Sequence, residues 1–384
     1  MKKLLGLLLA LAVAFPASAD VLKNVDLKGE IQTIASDVHH NPGDIYNSGT
    51  NLRVLAGASF DLVEDVRANL LFAYGNTWGE ALAGPYGSPL NHYWNRVLLA
   101  EANVVLSNLF CCLEATVGRQ FYGDEDSAVM YFGPNHYNSE FNSYRALDGV
   151  KVAYGDDFKT FTLLAGNLIY ATGSTQESEI YGADLKLNLT DALKWQVYGY
   201  DFKDVYGDKN GGFYGTKFTF APEAVTLAAE YARNFGGDRL VKEHHDTGYL
   251  VKADAALNLE AVTPRFAFVY TNGFLGFGNY TPGLLVGDVL ISKGIDVLAE
   301  SLRLFNVGVD YTTGKWTFAL DGFSFQGREA HHSATLEADL TAKYAHNEYV
   351  ELFAGVGYAK YGHAKADFGQ KDNTKGQLGM LIKF

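Results

Sequence analysis

Residues 336–358, LEADLTAKYAHNEYVELFAGVGY, hold two runs of alternating apolar and polar residues on either side of a short break. Every second residue from Leu336 to Tyr344 is apolar, and the residues between them are Glu, Asp, Thr and Lys. After the break at 346–348, the apolar alternation resumes from Val350 to Tyr358. Because successive side chains of a strand point to opposite faces, this stretch predicts a β-hairpin with one apolar and one polar face.

The same unit recurs along the chain, and the connections between units alternate in length. Short connections such as 62–64 and 313–314 alternate with long ones such as 37–48, 121–146, 204–212 and 275–302. Short periplasmic turns and long extracellular loops are typical of transmembrane barrels. We therefore predict an all-β fold, a closed antiparallel transmembrane β-barrel of about 18 strands, within a range of roughly 16 to 20. The candidate strands lie at about 25–36, 49–61, 65–76, 94–106, 111–120, 147–155, 158–169, 179–190, 193–203, 213–221, 224–235, 248–259, 264–274, 303–312, 315–325, 333–345, 349–361 and 376–384.

The apolar face of the predicted strands is expected to meet lipid, and the polar face to line water. Charges of both signs occur within single strands, as Arg53 and Asp61 do, which suits a water-filled lumen. Aromatic residues such as Trp195 and Trp316 stand at the ends of apolar faces, where membrane-interface girdles belong. Closing so many strands also leaves a hole that we expect to be too wide for side chains to fill.

The N-terminus is predicted to carry an export signal. Lys2 and Lys3 precede a short apolar run, and Ala17-Ser18-Ala19 offers a small-residue cleavage site. The run is shorter than the roughly 20 residues that a spanning helix needs. We predict a cleaved signal peptide at 1–19 and a single barrel domain at 20–384.

Composition limits the classes of partner. Without Lys2 and Lys3 the chain has 29 basic and 44 acidic residues, a net charge of −15, which argues against a nucleic-acid partner. Cys111 and Cys112 are adjacent and cannot build a disulfide framework. The sequence contains no G-x-S-x-G, P-loop, H-E-x-x-H or C-x-x-C motif. We predict no enzyme, no catalytic residue, no cofactor and no metal, and expect the pairs His39-His40, His244-His245 and His331-His332 to be solvated in loops.

The last nine residues, GQLGMLIKF, keep the apolar alternation to the final carboxylate. Leu378, Met380, Ile382 and Phe384 share one face of the predicted strand. A terminal Phe on such a strand resembles the recognition signal of bacterial outer-membrane barrels. The resemblance implies a bacterial outer-membrane location among outer-membrane lipids, with Phe384 as a membrane-assembly signal for the barrel-assembly machinery.

One stretch carries a more specific resemblance. Residues 117–125 read VGRQFYGDE, and residues 145–150 read RALDGV. Together they resemble the GRQ…GDE…R-x-x-D-G-[VA] pattern of the alginate-export type of outer-membrane porins. That resemblance implies an eighteen-stranded porin. The chain departs from the pattern at Asp126, where that family often has Arg.

The charged residues of this stretch are candidates for a pore constriction. Arg145 has inward parity, whereas Arg119 shares the parity of Val117 and would face lipid in a strict alternation. An Arg at mid-bilayer costs roughly 2–4 kcal/mol, so we expect Arg119 at the rim, or turned inward by a bulge at Gly118. Asp124 and Glu125 are then expected to pair with Arg119 or Arg145 and hold loop 121–146 in the pore. An outward loop is the alternative.

The polar faces supply the remaining candidate residues, whose charges nearly balance. We predict a porin for passive diffusion of small polar solutes, with saccharides or anionic oligosaccharides as candidates. The alternative is a structural or adhesive barrel whose pore is plugged by loops 121–146 and 275–302. The candidate pore-lining and constriction residues are Arg53, Arg67, Glu101, Glu114, Arg119, Asp124, Glu125, Arg145, Lys151, Asp184, Lys186, Asp254, Asp310 and Asp339.

Overall fold

The structure is a computed structural model, and it describes most of the chain. The described residues are 23–40, 46–78, 97–110, 112–137, 145–170, 178–204, 209–236, 248–278, 280, 282–285, 302–327, 334–360 and 372–384. The predicted signal peptide 1–19 and the pairs His244-His245 and His331-His332 lie outside these residues. No helix in the described ranges is long and apolar enough to cross a membrane.

Eighteen strands form one antiparallel sheet, as the alternation predicted. Two further strands, β6 (Tyr122–Gly123) and β7 (Tyr131–Phe132), pair with each other inside the connection between β5 and β8. The sheet strands are β1 (Lys23–His40), β2 (Tyr46–Val63), β3 (Val66–Trp78), β4 (Val97–Leu109), β5 (Leu113–Gln120), β8 (Arg145–Gly155), β9 (Lys159–Tyr170), β10 (Ser178–Asn188), β11 (Leu193–Asp204), β12 (Lys209–Phe220), β13 (Val225–Phe235), β14 (Tyr249–Leu257), β15 (Val262–Asn272), β16 (Leu302–Thr313), β17 (Trp316–Gly327), β18 (Thr335–Ala345), β19 (Val350–Lys360) and β20 (Asn373–Lys383).

The sheet closes because β1 pairs with β2 on one side and with β20 on the other. At this seam the Phe384 amide donates to the Gly29 carbonyl at 3.0 Å, and the Gly29 amide donates to the Phe384 carbonyl at 2.7 Å. The Phe384 ring also covers Gly29, since a Cβ built on that glycine would lie 2.8 Å from the ring Cζ. Closure removes both sheet edges, so backbone donors and acceptors along the strands are satisfied within the barrel.

Short hairpin turns alternate with longer connections, but two of the predicted long loops are wrong. β1 extends to His40 and β2 begins at Tyr46, so much of the predicted loop 37–48 is strand. Likewise, β11 ends at Asp204 and β12 begins at Lys209, within the predicted loop 204–212. Polar residues interrupt the apolar alternation at this end of the barrel, although the backbone pairing continues.

The outer face of the barrel is a continuous apolar belt. Leu320, Leu340 and Val356 are paired neighbours on β17, β18 and β19, and they are 55%, 50% and 52% exposed. Residues between them along the strands, such as Asp321 and Asp339, face the interior. An apolar surface of this extent does not occur on soluble monomers, so it requires lipid around it.

The loop end of the lumen is filled by two chain segments that fold inward. The first inserted segment is 121–137, and the second is the described part of 273–285. They meet where the Tyr131 amide donates to the Phe277 carbonyl at 2.9 Å and the Phe277 amide donates to the Val129 carbonyl at 2.8 Å. Inward side chains from most of the wall join them in one apolar cluster. The expected wide hole is therefore occupied here by backbone segments that bring their own apolar side chains.

Candidate functional site

A row of charged and polar side chains crosses the inner wall beside the first inserted segment. The strand registers pair Lys186 with Gln196, Gln196 with Lys217, Lys217 with Glu230, and Glu230 with Lys252. Paired residues of an antiparallel sheet lie on the same face, so these five side chains are neighbours across β10 to β14. We call them the lysine row. The row holds three lysines and one glutamate, and the carboxylates of Asp124, Asp184 and Asp254 lie beside it, so this part of the lumen has no positive excess.

A cleft lies between the lysine row and the first inserted segment. It encloses about 710 Å³, including space open to solvent. Tyr122 and Asp124 of the inserted segment lie on one side, and the wall lies on the other. The Tyr122 and Tyr200 hydroxyls are 2.8 Å apart, and the Tyr198 hydroxyl donates to Glu230 at 2.8 Å. Hydroxyls, carboxylates and ammonium groups therefore surround a space that admits water and small polar molecules.

Burial raises the pKa of Tyr122 to about 12, although its hydrogen bond with Tyr200 opposes that shift. The phenol is therefore neutral at physiological pH and takes part in the cleft through hydrogen bonds. The Asp124 carboxylate lies 3.5 Å from the Lys186 ammonium group. Lys217 has no hydrogen-bond or ion-pair partner among the described residues.

The tip of the first inserted segment, residues 133–137, binds the wall at the barrel seam. Arg53 is fully buried, and its Nη1 donates to the Asn135 carbonyl at 2.5 Å while its Nη2 donates to Glu30 at 2.6 Å. Gln32 donates to the same Asn135 carbonyl at 3.2 Å and accepts from the Tyr137 amide at 3.0 Å. These wall residues belong to β1 and β2, so the tip is fixed where the sheet closes.

His136 stands at the centre of this contact. Its Nε2 lies 2.8 Å from Glu30 Oε2, and its Nδ1 lies 2.8 Å from Glu125 Oε2. Burial alone would lower the pKa of His136, but its hydrogen bonds to the Glu125 and Glu30 carboxylates outweigh burial and raise the pKa overall. For Glu125 the two effects have the opposite signs. Burial raises the pKa of its carboxyl group, whereas the hydrogen bond with His136 lowers it, and the net result is a lowered pKa.

The second inserted segment is held by charged side chains of β18 and β20, close to the same seam. The Leu284 amide donates to Asp339 at 2.8 Å, and the Leu285 amide donates to Glu337 at 2.8 Å. Lys375 donates to the Leu284 carbonyl at 2.9 Å. Asp339, a candidate pore-lining residue, therefore anchors a segment inside the lumen.

The candidate residues other than Arg119 lie on the inner wall or on the inserted segments. Arg67 pairs with Asp61 at 2.9 Å, and Glu101 pairs with Lys28 at 3.0 Å. The remaining inner pairs are Glu114 with Lys151 at 3.8 Å, Asp254 with Lys252 at 3.1 Å, and Asp310 with Arg265 at 2.8 Å, while Asp184 accepts from Gln196. Their part in solute passage stays a prediction.

The prediction that Arg119 lines the pore is wrong. β5 pairs without interruption on both sides of Gly118, so no bulge reverses its alternation, even though Gly118 has a φ of 118°. Val117 is 45% exposed on the outer face, and Arg119 shares that face. It forms a bidentate pair with Asp148, at 2.6 and 2.7 Å, which offsets the cost of an outward charge.

The predicted partners of Asp124 and Glu125 are also wrong. Asp124 lies near Lys186, and Glu125 binds His136. Arg145 does face inward, but it donates to the Gly278 carbonyl at 2.9 Å and lies over the Phe132 ring. Arg145 therefore joins the two inserted segments to the wall, while the acidic residues bind elsewhere.

The sequence prediction missed the residues that fix the tip. Gln32 and His136 had no role in the predicted site, and Glu30 and Lys217, which the alternation places in the lumen, were not among the constriction candidates. The inward parity of Glu30, Gln32 and Lys217 was visible in the alternation. His136 had no such signal, because it follows no strand pattern. No group of His, Cys, Asp and Glu in the described part of the chain is arranged to hold a metal ion.

Comparison with known proteins gives the class to which this fold belongs. The fold is similar to crystal structures of Pseudomonas aeruginosa OpdO (TM-score 0.66, 11% identity, 95% of this chain and 99% of that chain) and Acinetobacter baumannii OccAB1 (TM-score 0.66, 10% identity, 95% and 97%). Pseudomonas aeruginosa OccK11 (OpdR) is also similar, with a TM-score of 0.62, 11% identity and coverage of 94% and 96%. These neighbours are Occ/OprD outer-membrane porins. No family model and no curated protein matches the sequence.

Proposed function

We propose that this protein is a bacterial outer-membrane porin through which small polar solutes diffuse passively. The observation that carries the proposal is the solvent-open cleft between the lysine row and the first inserted segment. Charges on its wall face a space that small solutes can enter, inside a barrel whose outer face requires lipid. The likeness to outer-membrane porins supports the same function and the same location.

Saccharides and anionic oligosaccharides are the solutes we propose. Hydroxyl groups of Tyr122, Tyr198 and Tyr200 offer hydrogen bonds to sugars, and Lys186 and Lys217 offer charge to anionic ones. The alginate-export assignment rests on the motif at 117–150 and remains part of the proposal. The absence of an enzymatic activity and the recognition of Phe384 by the assembly machinery are also parts of the proposal.

Planar bilayers provide the test of channel function. Folded protein should give stepwise conductance, and liposomes that contain it should swell in small sugars. Boiled, unfolded protein at the same concentration is the control. A current indistinguishable from that control, together with no swelling, would show that the proposal is wrong.

A barrel closed by its inserted segments is the second candidate. The apolar cluster around Phe132, Phe213 and Phe274 favours it, since such a cluster excludes water from part of the lumen. A structural or adhesive barrel of this kind should give no conductance when intact. It should conduct after residues 274–278 of the second inserted segment are deleted, whereas a porin conducts before and after the deletion.

A further inference from the structure

The tip contact at the seam contains a histidine that must carry two protons. Both ring nitrogens of His136 lie 2.8 Å from carboxylate oxygens, one on Glu30 and one on Glu125. An ionised carboxylate only accepts hydrogen bonds, so each ring nitrogen has to donate. Only the imidazolium form has two N–H donors, and the geometry therefore describes a cation held between two anions.

Charged groups surround His136 on each element that contacts it. Glu30 on β1 and Arg53 on β2 form an ion pair at 2.6 Å, and Glu125 belongs to the inserted segment itself. Tyr131 of the same segment is a buried phenol near Glu125, Arg53 and Glu30. Behind the adjacent Tyr137 lie Lys343 of β18, 3.6 Å from the ring centre, and Glu351 of β19. His136 is the member of this group that titrates nearest to neutral pH.

Loss of one proton breaks this arrangement. A neutral imidazole has one donor and one acceptor nitrogen, so one of the two carboxylates would face a lone pair. Glu30 would keep Arg53, but Glu125 would keep only the His136 backbone amide, which donates to it at 2.9 Å. The contact is therefore complete between the lowered pKa of Glu125 and the raised pKa of His136, and it is lost as the pH rises through the pKa of His136.

We propose that His136 is the positioning residue of the first inserted segment, and that its deprotonation releases the tip 133–137 and destabilises the open channel. The same segment lines the cleft through Tyr122 and Asp124, so release at the seam alters the constriction as well. The effect on passage rests on the proposed porin function, whereas the docking of the tip does not.

Hydrogen exchange at the tip tests the docking directly. The Tyr137 amide donates to Gln32 of the wall, so it should be protected while the tip is bound. The protection factor, which removes the intrinsic pH dependence of exchange, should fall about ten- to hundredfold as His136 loses its proton. In His136→Gln, which cannot titrate, the protection factor should be low and independent of pH. In Glu125→Gln the fall should occur at lower pH, because one of the two carboxylates that favour the imidazolium is gone.

The matched control is His346→Gln, which removes an exposed histidine from the turn between β18 and β19 at the other end of the barrel. It should keep the pH dependence of the original chain. A protection factor that does not change with pH in the original chain, or that changes equally in His136→Gln, would overturn the proposal.

Single-channel recording tests the effect on passage. Interruptions of the current should become more frequent over the pH range in which the amide loses its protection. The current through the His136→Gln variant should be interrupted frequently at every pH. If the tip is released but the current shows no change, the effect on passage is wrong and the docking role stands. If the protein gives no current at any pH, the porin function fails while exchange still reports on His136.

Discussion

Replacing Arg53 with Met should undock the tip of the first inserted segment while the barrel stays folded. Arg53 is fully buried and donates to Glu30 and to the Asn135 carbonyl. Arg53→Met removes the hydrogen bond from the guanidinium to the Asn135 carbonyl, and a hydrogen bond to a charged group contributes about 1.5–3 kcal/mol, whereas Glu30 keeps His136. Each 1.36 kcal/mol is tenfold, so the equilibrium constant for undocking should rise by roughly ten- to hundredfold.

The exchange rate of the Tyr137 amide measures this change, since this amide donates to Gln32 of the wall only when the tip is docked. Arg67→Met is the matched control. Its pairs with Asp61 and Asp26 are partly exposed, with 34% of the Arg67 side chain open to solvent, and such pairs contribute little to stability. If the Tyr137 amide of Arg53→Met exchanges as slowly as that of the original chain, the reasoning is refuted.

Three further substitutions, one of them with a matched control, test other parts of the structure. Phe384→Ala removes the ring that covers Gly29 and should lower the amount of folded barrel in the outer membrane of cells, measured by heat-modifiable mobility, with unit conductance unchanged. Val307→Arg puts a charge on the lipid face, where Val307 is 64% exposed, and should destabilise the barrel by about 2–4 kcal/mol in urea titrations in bilayers. Thr317→Arg on the inner face should cost much less, and equal costs would contradict the assignment of faces. Lys217→Glu should move the reversal potential in a salt gradient toward cation selectivity, and an unmoved potential would remove Lys217 from the solute path.

The barrel was predictable because a membrane restricts what a strand can present to lipid. Each strand needs an apolar residue at every second position, and that rule survives along most of the chain. It predicted the eighteen strands and the inward position of residues such as Asp310 and Lys186. It failed at strand ends such as Asp37 and Lys209, where the strands extend beyond the predicted limits and polar residues are tolerated beyond the apolar belt.

Arg119 illustrates a different failure. Its parity indicated the outer face correctly, and the expectation of a position at the rim or of an inward turn came from the cost of a lone charge in lipid. That cost was estimated without Asp148, which pairs with Arg119 across adjacent strands. A register was needed to find this partner, and alternation alone gives no register.

The inserted segments could not be derived from strand patterns, because their contacts join residues far apart in the chain. His136 contacts Glu30 across a separation of 106 residues. Loop 121–146 is long enough to fold into the lumen, but its length does not determine whether it folds inward or outward. The direction depends on Arg53 and Gln32, which offer buried donors at the seam that only a folded loop can satisfy.

The two halves of the lumen differ in what they require of the solvent. Around Phe132 and Phe274 the packed apolar side chains need no water. Lys217, by contrast, lies opposite Glu230 on the inner wall, beside the cleft that is open to solvent. Charged groups in a dry interior cost several kcal/mol, so water in the cleft is needed to solvate this pair. We therefore propose that polar solutes pass along the lysine row, because the apolar cluster fills the centre of the barrel, and that the inserted segment on the other side of the cleft controls its width.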